Sequence, residues 1–166
     1  MKKQLLIIGI IVLLVCVGLS GCTGEDKGSE NNPKVINLGD SITHGTIRVT
    51  FLSATWVKPY DWSDSYYYDL EVKGENIGSA EDSVFVKITK YEMANGYTYS
   101  DDYIWQSFSL NPGRSGTLTI RSVGGGMAGQ IIDRDFLPVA KIYVTLDENA
   151  NPMLSAVNPI YAIINV

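Results

Sequence analysis

"YYYDLEVKGEN", Tyr66 to Asn76, runs straight into "IGSAEDSVFVKITKYE", Ile77 to Glu92, and this stretch decides the fold. In the first half Tyr66, Tyr68, Leu70 and Val72 alternate with Tyr67, Asp69, Glu71 and Lys73. In the second half Val84, Val86 and Ile88 alternate with Lys87 and Thr89. A period of two, apolar on one side and polar on the other, builds half-buried strands rather than helices. Gly78 marks the turn between them.

Outward from this pair the same grammar repeats. "TIRVTFLSATW" puts Ile47, Val49 and Phe51 on one face. "AKIYVTL" opposes Ala140, Ile142, Val144 and Leu146 to Lys141, Tyr143 and Thr145. "IWQSFSL" and "GTLTIRS" flank the turn "NPGRSG", and the apolar "IYAIINV" at the C-terminus reads as an inner strand. Further turn signals stand at Asn95-Gly96, Gly124 to Gly126, Asn151-Pro152 and Asn158-Pro159, at the spacing of an all-β sandwich. No ten-residue window carries a helical period, although "AGQIIDRDFLP" could hold one helical turn.

The N-terminus has a different character. Met1-Lys2-Lys3 precedes an apolar run from Leu5 to Leu19, which matches the core of a secretory signal. The run falls short of the roughly 20 residues of a spanning helix. It ends in "LSGC", Leu19 to Cys22, which resembles the lipobox of prokaryotic lipoproteins. The resemblance implies cleavage of residues 1–21 and a diacylglycerol thioether on Cys22. Two acyl chains, at about 0.8 kcal/mol per buried methylene, anchor a protein durably. The expected partner is therefore a lipid bilayer, with the chain facing outward. "TGEDKGSENNP", Thr23 to Pro33, contains no large apolar residue. Residues 22–36 are read as the lipidated N-terminus and a flexible tether, with a single domain over 37–166. Such a tether would set the domain roughly 20 Å from its anchor. About 130 residues suffice for one domain that buries around two-thirds of its unfolded surface.

Composition closes off several functions. The two cysteines, Cys16 and Cys22, fall in the signal and at the lipidation point. Neither is left for a disulfide, a metal cage or a thiol nucleophile. The net charge is 13 − 18 = −5, or 11 − 18 = −7 once Lys2 and Lys3 are removed. An acidic surface is a poor match to nucleic acid or anionic lipid. No cofactor is expected.

"LGDSITHGTIRVTFLSATW", the run "YYDLEVKGENIGSAEDSVFVKITKY" with its Asn-x-Gly turn, and "LNPGRSGTLTI" resemble the telokin-like immunoglobulin domains of prokaryotic lipoproteins and related cell-adhesion modules. The resemblance covers roughly residues 38–120. It implies an Ig-like antiparallel β-sandwich of about seven to nine strands that binds or spaces, with no catalytic residue to carry over.

"NLGDSITHG", Asn37 to Gly45, also resembles the first block of the GDSL hydrolases, which would make Ser41 a nucleophile. Those enzymes draw their base from an Asp-x-x-His block, and this chain has one histidine, His44, and no such block. Gly39-Asp40-Ser41 is read instead as turn chemistry, and His44 as a solvated turn residue. Asp147, Asn149 and Asn151 are spaced like the start of a calcium loop, with Asp133 and Asp135 as conceivable further donors. Pro152 and Asn158 stand where that loop needs Gly and Glu, so a turn is preferred. Gly124 to Gly129 lacks the Lys-Ser or Lys-Thr of a phosphate loop. The remaining candidate surface is aromatic: Trp56, Tyr60, Trp62 and Tyr67, with Tyr97, Tyr99, Tyr103 and Trp105 further along. Exposed rings stack on sugars or anchor protein contacts, whereas paired rings inside a sheet only pack. The leading expectation is a non-catalytic binding or structural module of the cell envelope. A carbohydrate-binding module built on the four named rings is the alternative.

Overall fold

The computed structural model describes residues 28–58, 65–121, 132–133, 138–149 and 156–166. Cys22, Tyr60, Trp62, Asp135, Asn151 and the glycine run at 124–129 lie outside the described residues. So do the side chains of Tyr66, Tyr103 and Asp133.

Ten strands are present among the described residues: β1 Lys34–Asn37, β2 Ser41–His44, β3 Ile47–Val57, β4 Ser65–Asn76, β5 Asp82–Met93, β6 Thr98–Leu110, β7 Ser115–Arg121, β8 Ile132–Asp133, β9 Val139–Asp147 and β10 Ile160–Asn165. They form two sheets, β1-β10-β9-β5-β6 and β2-β3-β4-β7, with the two-residue β8 beside β4. The chain is an all-β sandwich of Ig-like type, with ten strands where seven to nine were expected. Its pairing is antiparallel except for β1, which lies parallel to β10. The C-terminal strand sits inside its sheet, between β1 and β9, as its apolar sequence suggested.

The core is built largely from the predicted inward faces, although Thr145, read as outward, is buried and Ala140, read as inward, is half-buried. Ile47, Val49, Phe51, Leu70, Val72, Val84, Val86, Ile88, Ile142 and Leu146 are fully buried between the sheets. Each contributes about 1.5–3 kcal/mol through burial. The chain crosses between sheets at the Asn76–Asp82 turn and again at Asn111–Arg114. "IWQSFSL" and "GTLTIRS" are therefore neighbours in sequence but belong to opposite sheets.

Two irregularities decide which aromatic rings face inward. The β3–β4 register shifts between Phe51 and Ser53. Strict alternation from Phe51 would turn Trp56 outward; the bulge turns Ala54 and Trp56 inward against the core. The β5–β6 register shifts between Ile88 and Lys90 and likewise brings Tyr91 and Met93 inside.

The folded unit begins earlier than the expected boundary at residue 37. Lys34 to Asn37 pair with Ala162 to Asn165. Upstream, Ser29 and Asn32 close a turn through reciprocal backbone bonds, and the Tyr161 N–H donates to the Gly28 carbonyl at 3.2 Å. Gly28 is buried, and a Cβ there would collide with backbone atoms of Lys34 and Tyr161, so only glycine fits. Residues 28–36 thus belong to the sandwich and not to a tether.

Candidate functional site

Register and turns divide the sandwich into two ends. At the lower end lie His44, Ile47, Asn76, Asp82, Leu110 and Ser115, with Asp147 and Ile160 a few residues further in. At the upper end lie Asn37, Val57, Tyr67, Met93, Thr98, Arg121, Val139 and Asn165.

The lower end is held by a polar network. Asn76 is buried and its amide is fully used. Nδ2 donates to the carbonyls of Ala80 at 2.8 Å and Leu110 at 2.7 Å, and Oδ1 accepts from the Gly78 N–H at 2.9 Å. This is the asparagine of the Asn-x-Gly turn. One side chain binds its own turn to the end of β6. The Thr46 hydroxyl shares its single proton between Asp82 Oδ2 at 2.8 Å and Asn76 Oδ1 at 3.0 Å. The Thr46 N–H also donates to Asp82 Oδ2, at 2.6 Å. Burial works to raise the Asp82 carboxyl; the two Thr46 bonds, the Ser83 N–H and nearby His44 outweigh it and hold it below its ordinary value.

His44 is not a solvated turn residue. It is 3% exposed, and its Nε2 lies 2.9 Å from the Asn158 carbonyl. A carbonyl only accepts, so Nε2 carries the proton. Strand alternation places His44 on the inner face of β2 and Ser41 on the outer face, where Ser41 Oγ meets Thr50 Oγ1 at 2.8 Å. The pair cannot act as nucleophile and base. The Asp40 carboxylate accepts the Asn37 N–H at 2.9 Å and closes the turn before β2; Ser41, read as part of that turn, opens the strand instead.

Asp147 is likewise committed. Its Oδ2 meets Lys87 Nζ at 2.7 Å, and its Oδ1 accepts the N–H groups of Asn149 and Val157 at 3.0 and 2.8 Å. Burial acts to raise this carboxyl, but Lys87 and the two N–H groups together hold it low. Asp147 closes the β9–β10 connection. Among the described residues no group of three His, Cys, Asp or Glu could hold a metal ion.

The upper end is aromatic. Trp56 meets Tyr68 edge-on at 4.7 Å, and Tyr68 meets Tyr91 edge-on at 5.9 Å. Tyr91 is the cross-strand partner of Tyr99, which contacts Tyr97 at 4.9 Å. The row runs from one sheet through the core to the other and surfaces at Tyr97, which is 49% exposed. Trp56, predicted as a contact residue, packs inward instead. Burial pushes the Tyr68 hydroxyl up to about 12.

On the outer face Tyr67 lies beneath the Arg121 guanidinium at 5.3 Å, and Arg121 grips Asp69 through bonds of 2.8 and 2.7 Å. On the opposite outer face Glu92 accepts from Lys141 Nζ at 2.8 Å and from the Tyr143 hydroxyl at 2.6 Å. Lys90 covers the Tyr143 ring at 3.7 Å. The Lys141 and Tyr143 bonds, in that order, hold the Glu92 carboxyl low against a smaller effect of burial. Sequence reading missed Arg121, Asp69 and Glu92. Alternation marked Asp69 and Lys141 as outward, but only register shows which charges meet.

No protein-family model and none of the curated proteins matches the chain. Among solved structures it is similar to an uncharacterized β-sandwich protein from Clostridium difficile 630, at 14% identity and a TM-score of 0.43, over 86% of this chain and 99% of that one. It is also similar to the yjhA protein from Bacillus subtilis, at 15% identity and a TM-score of 0.37, over 78% and 98%. A β-glucosidase involved in saponin metabolism from intestinal bacteria matches at 13% identity and a TM-score of 0.36, over 76% of this chain but 17% of that one. At these values no functional reading passes to this chain. What the structure establishes is a β-sandwich with a polar, interlocked lower end and an aromatic upper end.

Proposed function

We propose that this chain is an outward-facing lipoprotein of the cell envelope, anchored through lipidated Cys22, whose sandwich is a non-catalytic binding module. The likeness of its strands to telokin-like and cell-adhesion Ig modules supports this reading, as does the lipobox before Cys22. The observation that carries it is proximity: the chain is seated in the sandwich from Gly28, which bonds Tyr161, so only residues 23–27 separate the fold from Cys22. The committed rings favour a protein partner over a sugar: Trp56 is packed on Tyr68, and one side of Tyr67 is occupied by Arg121.

Fractionation of cells carrying wild-type or Cys22→Ser protein tests the proposal. The wild type is expected to stay with membranes through high-salt and alkaline washes and to partition into detergent. The variant is expected to lose detergent partitioning of a processed form. Wild-type protein recovered from the soluble fraction would contradict the reading.

A further inference from the structure

We infer that β1 is a mechanical clamp: tension between the N-terminal side of the chain and the tip of β10 loads the β1–β10 ladder in shear, so the sandwich stays folded under pull. The clamp follows from the topology. A membrane as the fixed end of that pull rests on the proposed lipidation of Cys22.

Among the described strands only β1 pairs in parallel, with Lys34, Val35, Ile36 and Asn37 beside Ala162, Ile163, Ile164 and Asn165. The chain enters β1 at Lys34 and leaves β10 beyond Asn165, so entry and exit lie at opposite ends of one ladder. Lys34 is level with Ala162, and Val166 stands 166 − 162 = 4 residues further on. That is about 13 Å along the strand against about 5 Å across it. A pull between these points therefore runs within roughly 20° of the strand axis. Sliding β1 in that direction breaks the bonds of the ladder together and draws Ile36, buried in the core, out with them. A pull across the sheet would instead open the same ladder one bond at a time from Lys34.

The surroundings make β1 the deciding element. β10 is held on both sides, by β1 and by six pairs with β9, and the Val166 N–H donates to the Ala140 carbonyl at 3.1 Å. Ahead of β1, the Gly28–Tyr161 bond and the Ser29–Asn32 turn yield first, because they hold by one and two backbone hydrogen bonds. Beyond β1, the Gly39 N–H donates to the Phe51 carbonyl and the Phe51 N–H to the Asp40 carbonyl. The segment from β1 to β2 thus ties one sheet to the other, and the sandwich opens when β1 slips.

Force spectroscopy on the mature chain, residues 22–166, which contains every described strand, tests the clamp. The unacylated Cys22 thiol takes one DNA handle. The second handle goes to Val166→Cys, which loads β1 in shear, or to Gln106→Cys on β6, which loads it across the sheet. Gln106 is exposed, and its register runs through Val86 and Leu146 to Ile160, two residues from Ala162. At one loading rate the Val166 attachment is expected to unfold at a several-fold higher force than the Gln106 attachment. Urea stability of the two labelled chains is expected to agree, because forced opening follows the unfolding barrier rather than the equilibrium. Should Gln106→Cys lower the urea stability, the exposed Ser107→Cys on the same strand takes its place. Equal unfolding forces at equal urea stability would overturn the clamp and leave the lipoprotein reading untouched. Native protein without acyl mass on Cys22 would overturn that reading and remove the membrane as the fixed end, while the forces still decide the clamp.

Discussion

His44 on β2 and Asn158 at the entry to β10 join the two sheets through a single 2.9 Å hydrogen bond. The ring donates, and the acceptor residue sits in a left-handed conformation with φ 49°. Replacing the buried His44 by Ala removes this bond and the ring's packing, at a cost of about 1–3 kcal/mol in urea denaturation. Asn158→Gly should be nearly neutral, since glycine adopts that φ freely, whereas Asn158→Val should destabilise. Equal stability of wild type and His44→Ala would show that this bond does not hold the sheets together.

Asn76 carries the lower end. Asn76→Ala strands the carbonyls of Ala80 and Leu110 and the Gly78 N–H together. A loss of about 2 kcal/mol is expected, since these groups are only part-buried and a fully buried group left unpaired costs roughly 1–3 kcal/mol. Asn76→Asp keeps the acceptor, loses both donors and should fare no better. Thermal unfolding of the two variants checks this.

Acid should weaken the fold through Asp82, Asp147 and Glu92, whose carboxyls are all held below their ordinary values. A lowered folded-state pKa adds stability above the unfolded value and loses it as pH falls through the folded one. Stability should therefore be flat near neutrality and decline below about pH 4, the ordinary carboxylate range. Asp147→Ala leaves Lys87 facing an unpaired, largely buried position. The cost should lie toward the lower end of about 3–5 kcal/mol, since Lys87 keeps some solvent.

The alkaline limb has the opposite sign. The Tyr68 hydroxyl, raised from 10.0 to about 12 by burial, favours the neutral ring in the folded state. Its contribution is complete below pH 10.0 and is lost as pH climbs toward about 12. A Tyr68→Phe protein should show a shallower loss of stability over that window, read by urea titrations at successive pH values. An unchanged slope would place the alkaline sensitivity elsewhere.

The strands around Tyr66–Asn76 and Asp82–Met93 were legible because their alternation is local. Ile47, Val49 and Phe51 were legible for the same reason. The fate of Trp56 was not, since a one-residue bulge at Leu52 reverses every later side chain and depends on how β3 meets β4. His44 was misread because its partner lies 114 residues away. The seat of Gly28 was hidden too: nothing in a polar, apolar-poor stretch announces a backbone bond to Tyr161. Asn76 was visible as a turn residue, but its reach to Leu110 needed the second sheet.

On the proposed reading the mature chain begins at an acylated Cys22, with five residues between it and the sandwich. Intact-mass and N-terminal peptide analysis of the native protein, extracted from membranes in detergent, tests it most directly. The expected product is a chain that starts at Cys22 and carries the mass of a diacylglycerol thioether. A chain that retains Met1, or that starts near Cys22 without acyl mass, would contradict it.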